Sequence, residues 1–308
     1  MEFGPHLILA MLEGLVQASV LTLTALGLSL VFGVMRVVNV AHGEFFMLGA
    51  VFAYAVASHI GGHPAIGFIA ALVISPLLVG ILAVLADWVI LRRLKYDPER
   101  TIVATIGMLY VIQQVTLMTY GPDAHPVTPP FNHRLAIPWF EMTEQGLQFY
   151  FPWGLSTTSY KLFVVVAAAI SGLGVWLLMA RTKLGLILRA TQLDSETAQA
   201  FGIPVERVYA FVFGLGAALA ALGAVLIVPI RQAHYLMGGD PLLLAFIVVI
   251  IGGLGSLRGT VLAAILIGMS DGIISVFFSP TLAKILATML VAMVLVYRPS
   301  GLFGAKPA

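Results

Sequence analysis

Apolar runs of about twenty residues recur from one end of the chain to the other, and short polar or glycine-rich breaks separate them. They cover residues 7–33, 45–60, 65–91, 101–120, 159–180 and 208–230, a run from 242 that stops at 252–259, and then 260–278 and 281–297. As α-helix, each is close to the length needed to cross a hydrocarbon core of about 30 Å. A β-barrel would instead alternate apolar and polar residues in ten-residue segments, which continuous stretches of Ala, Leu, Val, Ile and Gly do not do. The pattern predicts an all-α, polytopic integral membrane helical bundle of about 8 to 9 transmembrane helices. Helices are interrupted near 34–44 and 252–259, and the whole chain 1–308 forms one transmembrane domain. The first run is 27 residues long, so it must tilt, extend or bend, and Gly27 and Gly33 would permit a bend.

The densest polar feature inside the apolar regions is GLSLVFGVMRVVNVAHGEFFMLGAVFAYAVA, residues 27–57. Arg36, Asn39, His42 and Glu44 fall together there between two apolar runs. A charge at bilayer mid-depth costs about 2.5–3.5 kcal/mol on insertion scales, so such groups face a bundle interior, a cavity or one another. Two readings stand: a break lining a pathway, or a polar turn at the headgroups. A lone His among apolar neighbours, such as His42, is more often a packing residue than a ligand. The segments FGVMRVVNVAHGEFFMLGA and IIGGLGSLRGTVLAAILIG share a plan of apolar helix, break with Gly and one Arg, and small-residue helix. Gly252, Gly253 and Gly255 form the second break. Corresponding interrupted helices point to the central pathway of a transporter, and chance is the alternative in a glycine-rich chain.

Two connections stand out. Residues 121–158 form the one long polar loop, rich in Pro and aromatic residues, and are expected to be irregular and to lie at the interface. Residues 181–207, RTKLGLILRATQLDSETAQAFGIPVER, hold a short exposed helix. Asp194 or Ser195 caps it, Glu196 sits in its first turn, Ala200 and Phe201 lie near its end, and Gly202 with Pro204 stops it.

Composition narrows the class. The chain is 60% apolar and 10% charged, too few charges for an ordinary soluble surface. There is no Cys, which removes disulfides and thiolate chemistry. No basic residue precedes Arg36, so a cleavable signal peptide is not expected. Segments 34–44, 92–100, 181–207, 252–259 and 298–308 carry twelve of the sixteen Lys and Arg. The positive-inside rule then puts them in the cytoplasm, the N-terminus and the 121–158 loop outside, and the C-terminus inside. None of the five Lys follows a Gly, so no phosphate-binding loop is present. Hydrolase motifs of the H-E-x-x-H and G-x-S-x-G kinds are also missing.

ALGLSLVFGVMRVVNVAHGEFFMLGA, RTKLGLILRATQLDSETAQAFGI, VVIIGGLGSLRGTVLAAILIG and YRPSGLFG, in this order over nearly the whole chain, resemble the LivH-type permease of branched-chain amino acid ABC importers. The resemblance implies a non-catalytic permease of a bacterial inner membrane with no cofactor of its own. Its partners would be a related LivM-type permease, two cytoplasmic ATPases that use ATP and Mg, and an extracytoplasmic substrate-binding protein. It also implies that the helix at 194–202 is the coupling helix seated in an ATPase groove, and that the break at 36–44 belongs to the translocation path. Competing readings are an ion-coupled secondary transporter using Glu13, Glu44 or Asp271 as a carboxylate relay, a purely structural subunit, or an ABC permease for urea, amides or aromatic acids.

Overall fold

The computed structural model describes residues 3–60, 63–137, 139–143, 146–151, 156–297 and 301. Arg298 and Lys306 of the tail, and most of its YRPSGLFG motif, lie outside them. Eleven α-helices account for most of the described residues: α1 Phe3–Met35, α2 His42–His59, α3 Pro64–Ala86, α4 Pro98–Tyr120, α5 Ser159–Arg181, α6 Lys183–Leu193, α7 Ser195–Ala200, α8 Val205–Ile227, α9 Gly239–Gly252, α10 Leu257–Phe277 and α11 Pro280–Tyr297. A single π-turn, Asp87–Leu91, prolongs α3. Among the described residues, six helices are long and apolar enough to cross a membrane, namely α1, α3 with its π-turn, α4, α5, α8 and α10. Helices α9 and α11 are apolar but shorter. The chain is therefore an all-α, multi-pass membrane bundle.

Helix α1 is the axis of the bundle and packs against α5, α8, α9 and α10. Its 33 residues run as one unbroken helix through Gly27 and Gly33, about 50 Å long at 1.5 Å per residue. These glycines also serve packing. A Cβ at Gly27 would lie 2.3 Å from the Gly216 carbonyl oxygen on α8, and one at Gly268 of α10 would lie 2.3 Å from Ala18 Cα. Between lipid-embedded helices there is little hydrophobic drive, so close approach of small residues supplies the cohesion. The paired positions fix direction. Gly14 meets Met269 while Gly33 meets Gly255, and Gly27 meets Gly216 while Gly223 meets Val20 and Thr24. Both α10 and α8 therefore run antiparallel to α1.

The 121–158 connection is more ordered than expected. Strand β1, Arg134–Ala136, pairs antiparallel with β4, Ser156–Thr158, and between them β2, Trp139–Thr143, pairs with β3, Gly146–Tyr150. Extended backbone rich in β-branched and aromatic residues satisfies its own hydrogen bonds in this way, where an irregular loop would need water for them. Pro138, Pro152 and Trp153 of the loop fall outside the described residues.

Candidate functional site

Helix α1 ends at Met35, and Arg36 takes a left-handed backbone, φ 55°. Residues 36–41 then form no helix. Their course is set by three contacts: Asn39 Oδ1 accepts from the Ala41 amide at 3.0 Å, the Val40 amide donates to Thr105 Oγ1 at 3.2 Å, and His42 Nε2 donates to the Thr24 carbonyl at 2.9 Å. Thr24 lies eleven residues back along α1, about 16 Å from Met35. Six extended residues reach about 20 Å. The segment therefore folds back beside α1 to roughly the middle of the helix, where α2 begins. Irregular backbone at that depth is tolerated only where protein covers it or where it lines a cavity, and Val37, Asn39, Ala41 and His42 are all buried. Glu44, also buried, accepts from Gln113 Nε2 of α4 at 2.8 Å.

A second broken element meets the first. After α8 the chain leaves the helix over 228–238, pairs with the polar loop through His125 and Ala233 (2.8 and 2.9 Å), and returns to start α9 at Gly239. A Cβ at Gly43 would lie 2.4 Å from the Gly238 carbonyl oxygen, and one at Gly238 would lie 2.2 Å from that of Gly43. The first turns of α2 and α9 thus touch. From this point α2 runs toward the end of the bundle that holds the start of α1, and α9 runs toward the opposite end, where Gly255 meets Gly33. The break that meets 36–41 is therefore 228–238, while the 252–259 segment that the sequence pairs with it lies at the far end of α1, beside Gly33. Within 252–259, residues 253–256 form a tight turn between α9 and α10, with Gly252 against Gly259 and positive φ at Gly253 (95°) and Gly255 (80°).

A cavity of about 110 Å³ opens between the two half-helix starts. Gln17 and Thr24 from α1, Phe46 from α2, Arg231 and His234 from the break, and Asp240 from α9 line it. None of these six stands in the polar break that the sequence singles out. Arg231, His234 and Asp240 read as an ordinary short loop, and their only signal is the charge cluster beside Gly238 and Gly239.

The residues expected in the path separate into two groups. Asn39, His42 and Glu44 are buried, and of the three His42 bonds to a residue of the cavity wall, Thr24. Arg36 does not: it is exposed, and its Nη2 reaches the carbonyls of Gln192 and Leu193 at 3.4 Å each, at the end of α6. Gly252, Gly253 and Gly255 lie at the same end, where Gln192 Nε2 donates to the Gly255 carbonyl at 3.3 Å. Helix α7 follows at once. Asp194 is its cap, accepting from the amides of Glu196 and Thr197 at 3.0 and 3.1 Å and from the Thr197 hydroxyl at 2.5 Å. Those Thr197 bonds, foremost the hydroxyl, hold its carboxyl below the usual value of 3.8. Ser195 and Glu196 start the helix, Ala200 ends it, and Gly202, φ 85°, turns the chain away. Leu193 and Phe201, at its two flanks, are 80% and 84% exposed.

The Glu13 carboxylate is ion-paired with Lys161 of α5. Asp271 lies in α10, within electrostatic reach of Arg231, Lys284 and Asp240.

Residues 10–296 match the profile of the family described as branched-chain amino acid transport system / permease component. The chain belongs to that family. Its relatives include the high-affinity branched-chain amino acid transport system permease protein BraD of Pseudomonas aeruginosa, 26% identical over 97% of this chain and 96% of that protein. The corresponding LivH of Escherichia coli K12 is 26% identical over 96% of this chain and 94% of its own length. A probable LivH of Methanocaldococcus jannaschii is 25% identical over 95% and 91%. No solved structure gives a significant match. Family membership and the multi-pass bundle together make the chain a transport permease.

Proposed function

We propose that this permease is one of two membrane subunits of an ATP-driven importer for amino acids, branched-chain ones first, as the names of its relatives suggest. An extracytoplasmic binding protein delivers the solute, a LivM-type permease completes the pathway, and two cytoplasmic ATPases bind ATP and Mg. The chain lies in an inner membrane with its N-terminus and the 121–158 loop outside and its C-terminus in the cytoplasm. The observation that carries this reading is the position of α6 and α7. Gln192 contacts both Arg36, at the mouth of the re-entrant segment, and Gly255, just beyond the end of α9, and Leu193 contacts Arg36 as well. A push on the exposed α7 from below thus reaches the two elements whose half-helices frame the cavity. That is what an external motor needs in order to switch a bundle between two states.

The ion-coupled alternative loses Glu13, which is paired with Lys161, whereas the burial of Glu44 against the neutral Gln113 does not count against it. Reconstitution separates the readings. We expect sealed proteoliposomes holding all partner chains to accumulate leucine only with internal ATP, and this chain alone to accumulate none under proton or sodium gradients. Accumulation by the chain alone would overturn the proposal. Urea, amides or aromatic acids outcompeting leucine in the same vesicles would reassign the solute.

A further inference from the structure

The cavity wall divides by chemistry. Val20, Leu21, Phe46 and Leu244 make it apolar, while Arg231 and Asp240 bring one charge of each sign. Both charges keep hydrogen-bonding capacity to spare. Among the described residues, Arg231 makes a single long contact, Nη2 to Gln17 Oε1 at 3.4 Å, out of a fork of five donors. Asp240 Oδ2 accepts from Lys284 Nζ of α11 at 2.6 Å, and its Oδ1 has no hydrogen bond among the described residues. Asp271 on α10 stands within electrostatic reach of Arg231, Lys284 and Asp240. Two positive and two negative groups leave the vestibule neutral, which suits a solute of no net charge and penalises one carrying a net charge.

We propose that this cavity is a transient binding site for a small apolar zwitterion, with its carboxylate on the Arg231 guanidinium, its ammonium on Asp240 Oδ1 and its side chain against Val20, Leu21, Phe46 and Leu244. The inference rests on the transport reading and deepens it by stating that both head groups are required. The roughly 110 Å³ of space has room for several water-sized groups, which suits a small amino acid. An amide or urea leaves Arg231 without its anion. A carboxylic acid lacking an amine leaves Asp240 without its cation.

The chain has no cysteine, so a single Leu236→Cys, at an exposed position on the cavity lining, reports occupancy. In the assembled transporter, leucine above its dissociation constant is expected to slow labelling of that cysteine by a hydrophilic maleimide roughly threefold or more. Leucinamide and 4-methylpentanoate are expected to leave the labelling rate unchanged, and adding Arg231→Gln or Asp240→Asn should abolish the leucine effect. Equal protection by the amide or the acid, or leucine protection surviving in both neutralised variants, overturns the site. If Arg231→Gln or Asp240→Asn fails to fold, the ligand series on the Leu236→Cys protein decides alone. Uptake distinguishes the two levels of the argument. An assembly that accumulates leucine but shows no protection sinks only this site, whereas one that accumulates no leucine sinks the transport reading beneath it.

Discussion

At the scale of the residue, Arg36 carries two separable properties, a left-handed backbone and a guanidinium directed at the end of α6. A non-glycine residue in that region costs about 1–2 kcal/mol, and the cost is met because the chain must reverse at once to run back along α1. Arg36→Gly relieves the backbone and removes the contacts, while Arg36→Leu removes the contacts and keeps the strain. We expect both variants to assemble at near-normal levels, both to lose most ATP-driven uptake, and the Gly variant to melt at the higher temperature. Normal uptake in both would take Arg36 out of the transmission. The sequence made Arg36 conspicuous as a charge between apolar runs, but placed it in the path. It faces α6 because the link that follows it turns back along α1, away from the end of the bundle that holds α6, a matter of backbone direction that the residue type does not reveal.

At the scale of the element, α7 is nearly complete in the sequence. Asp194 capping two amides, Glu196 in the first turn and Gly202 with Pro204 beyond the end are local signals, and local hydrogen bonding satisfied them without help from the rest of the fold. Phe201 and Leu193 leave large apolar side chains on an otherwise polar connection, the kind of anchor that an interface centre buries. Losing such an anchor costs about 2 kcal/mol or more. Ala200→Asp with Phe201→Asp should therefore weaken ATPase docking by roughly tenfold or more and uncouple hydrolysis from uptake. Co-purification and vesicle assays check this, and intact docking would show that α7 is not the contact. The cap itself has a pH signature. A carboxyl held below its ordinary value stabilises the folded state above that value and loses its contribution only as pH falls through the folded one. Coupling should therefore not respond to Asp194 protonation at any pH above 3.8.

At the scale of the whole molecule, small residues decide how closely the helices approach and so where the two breaks meet. Gly268→Val would drive side-chain atoms into Ala18, where even a Cβ stands 2.3 Å from Cα. Overpacking of this kind typically costs about 1–3 kcal/mol, and more where backbone must move. We expect a clear drop in melting temperature in detergent for Gly268→Val and for Gly49→Leu, whose Cβ would meet Ala221 Cα at 2.4 Å. Gly107→Ala and Gly174→Ala face open space and should melt near the parent temperature. An unchanged melt for the first pair would show that close packing around α1 and α8 is not what holds the bundle.

Membrane residence, helical class, the polar knot at 36–44, the capped helix at 195–200 and the lack of a phosphate loop were all legible in the sequence. Each depends on residues close together along the chain: a run length, a cap, a spacing. The tertiary structure alone decided that the break at 36–41 faces the one at 228–238, that α1 runs unbroken through Gly27 and Gly33, and that Arg231 and Asp240 share a cavity with Gln17 and Thr24 more than 200 positions away. Those outcomes follow from glycine-to-backbone contacts between helices that are distant in sequence, and no local pattern of apolar and polar residues encodes which partner each glycine will meet.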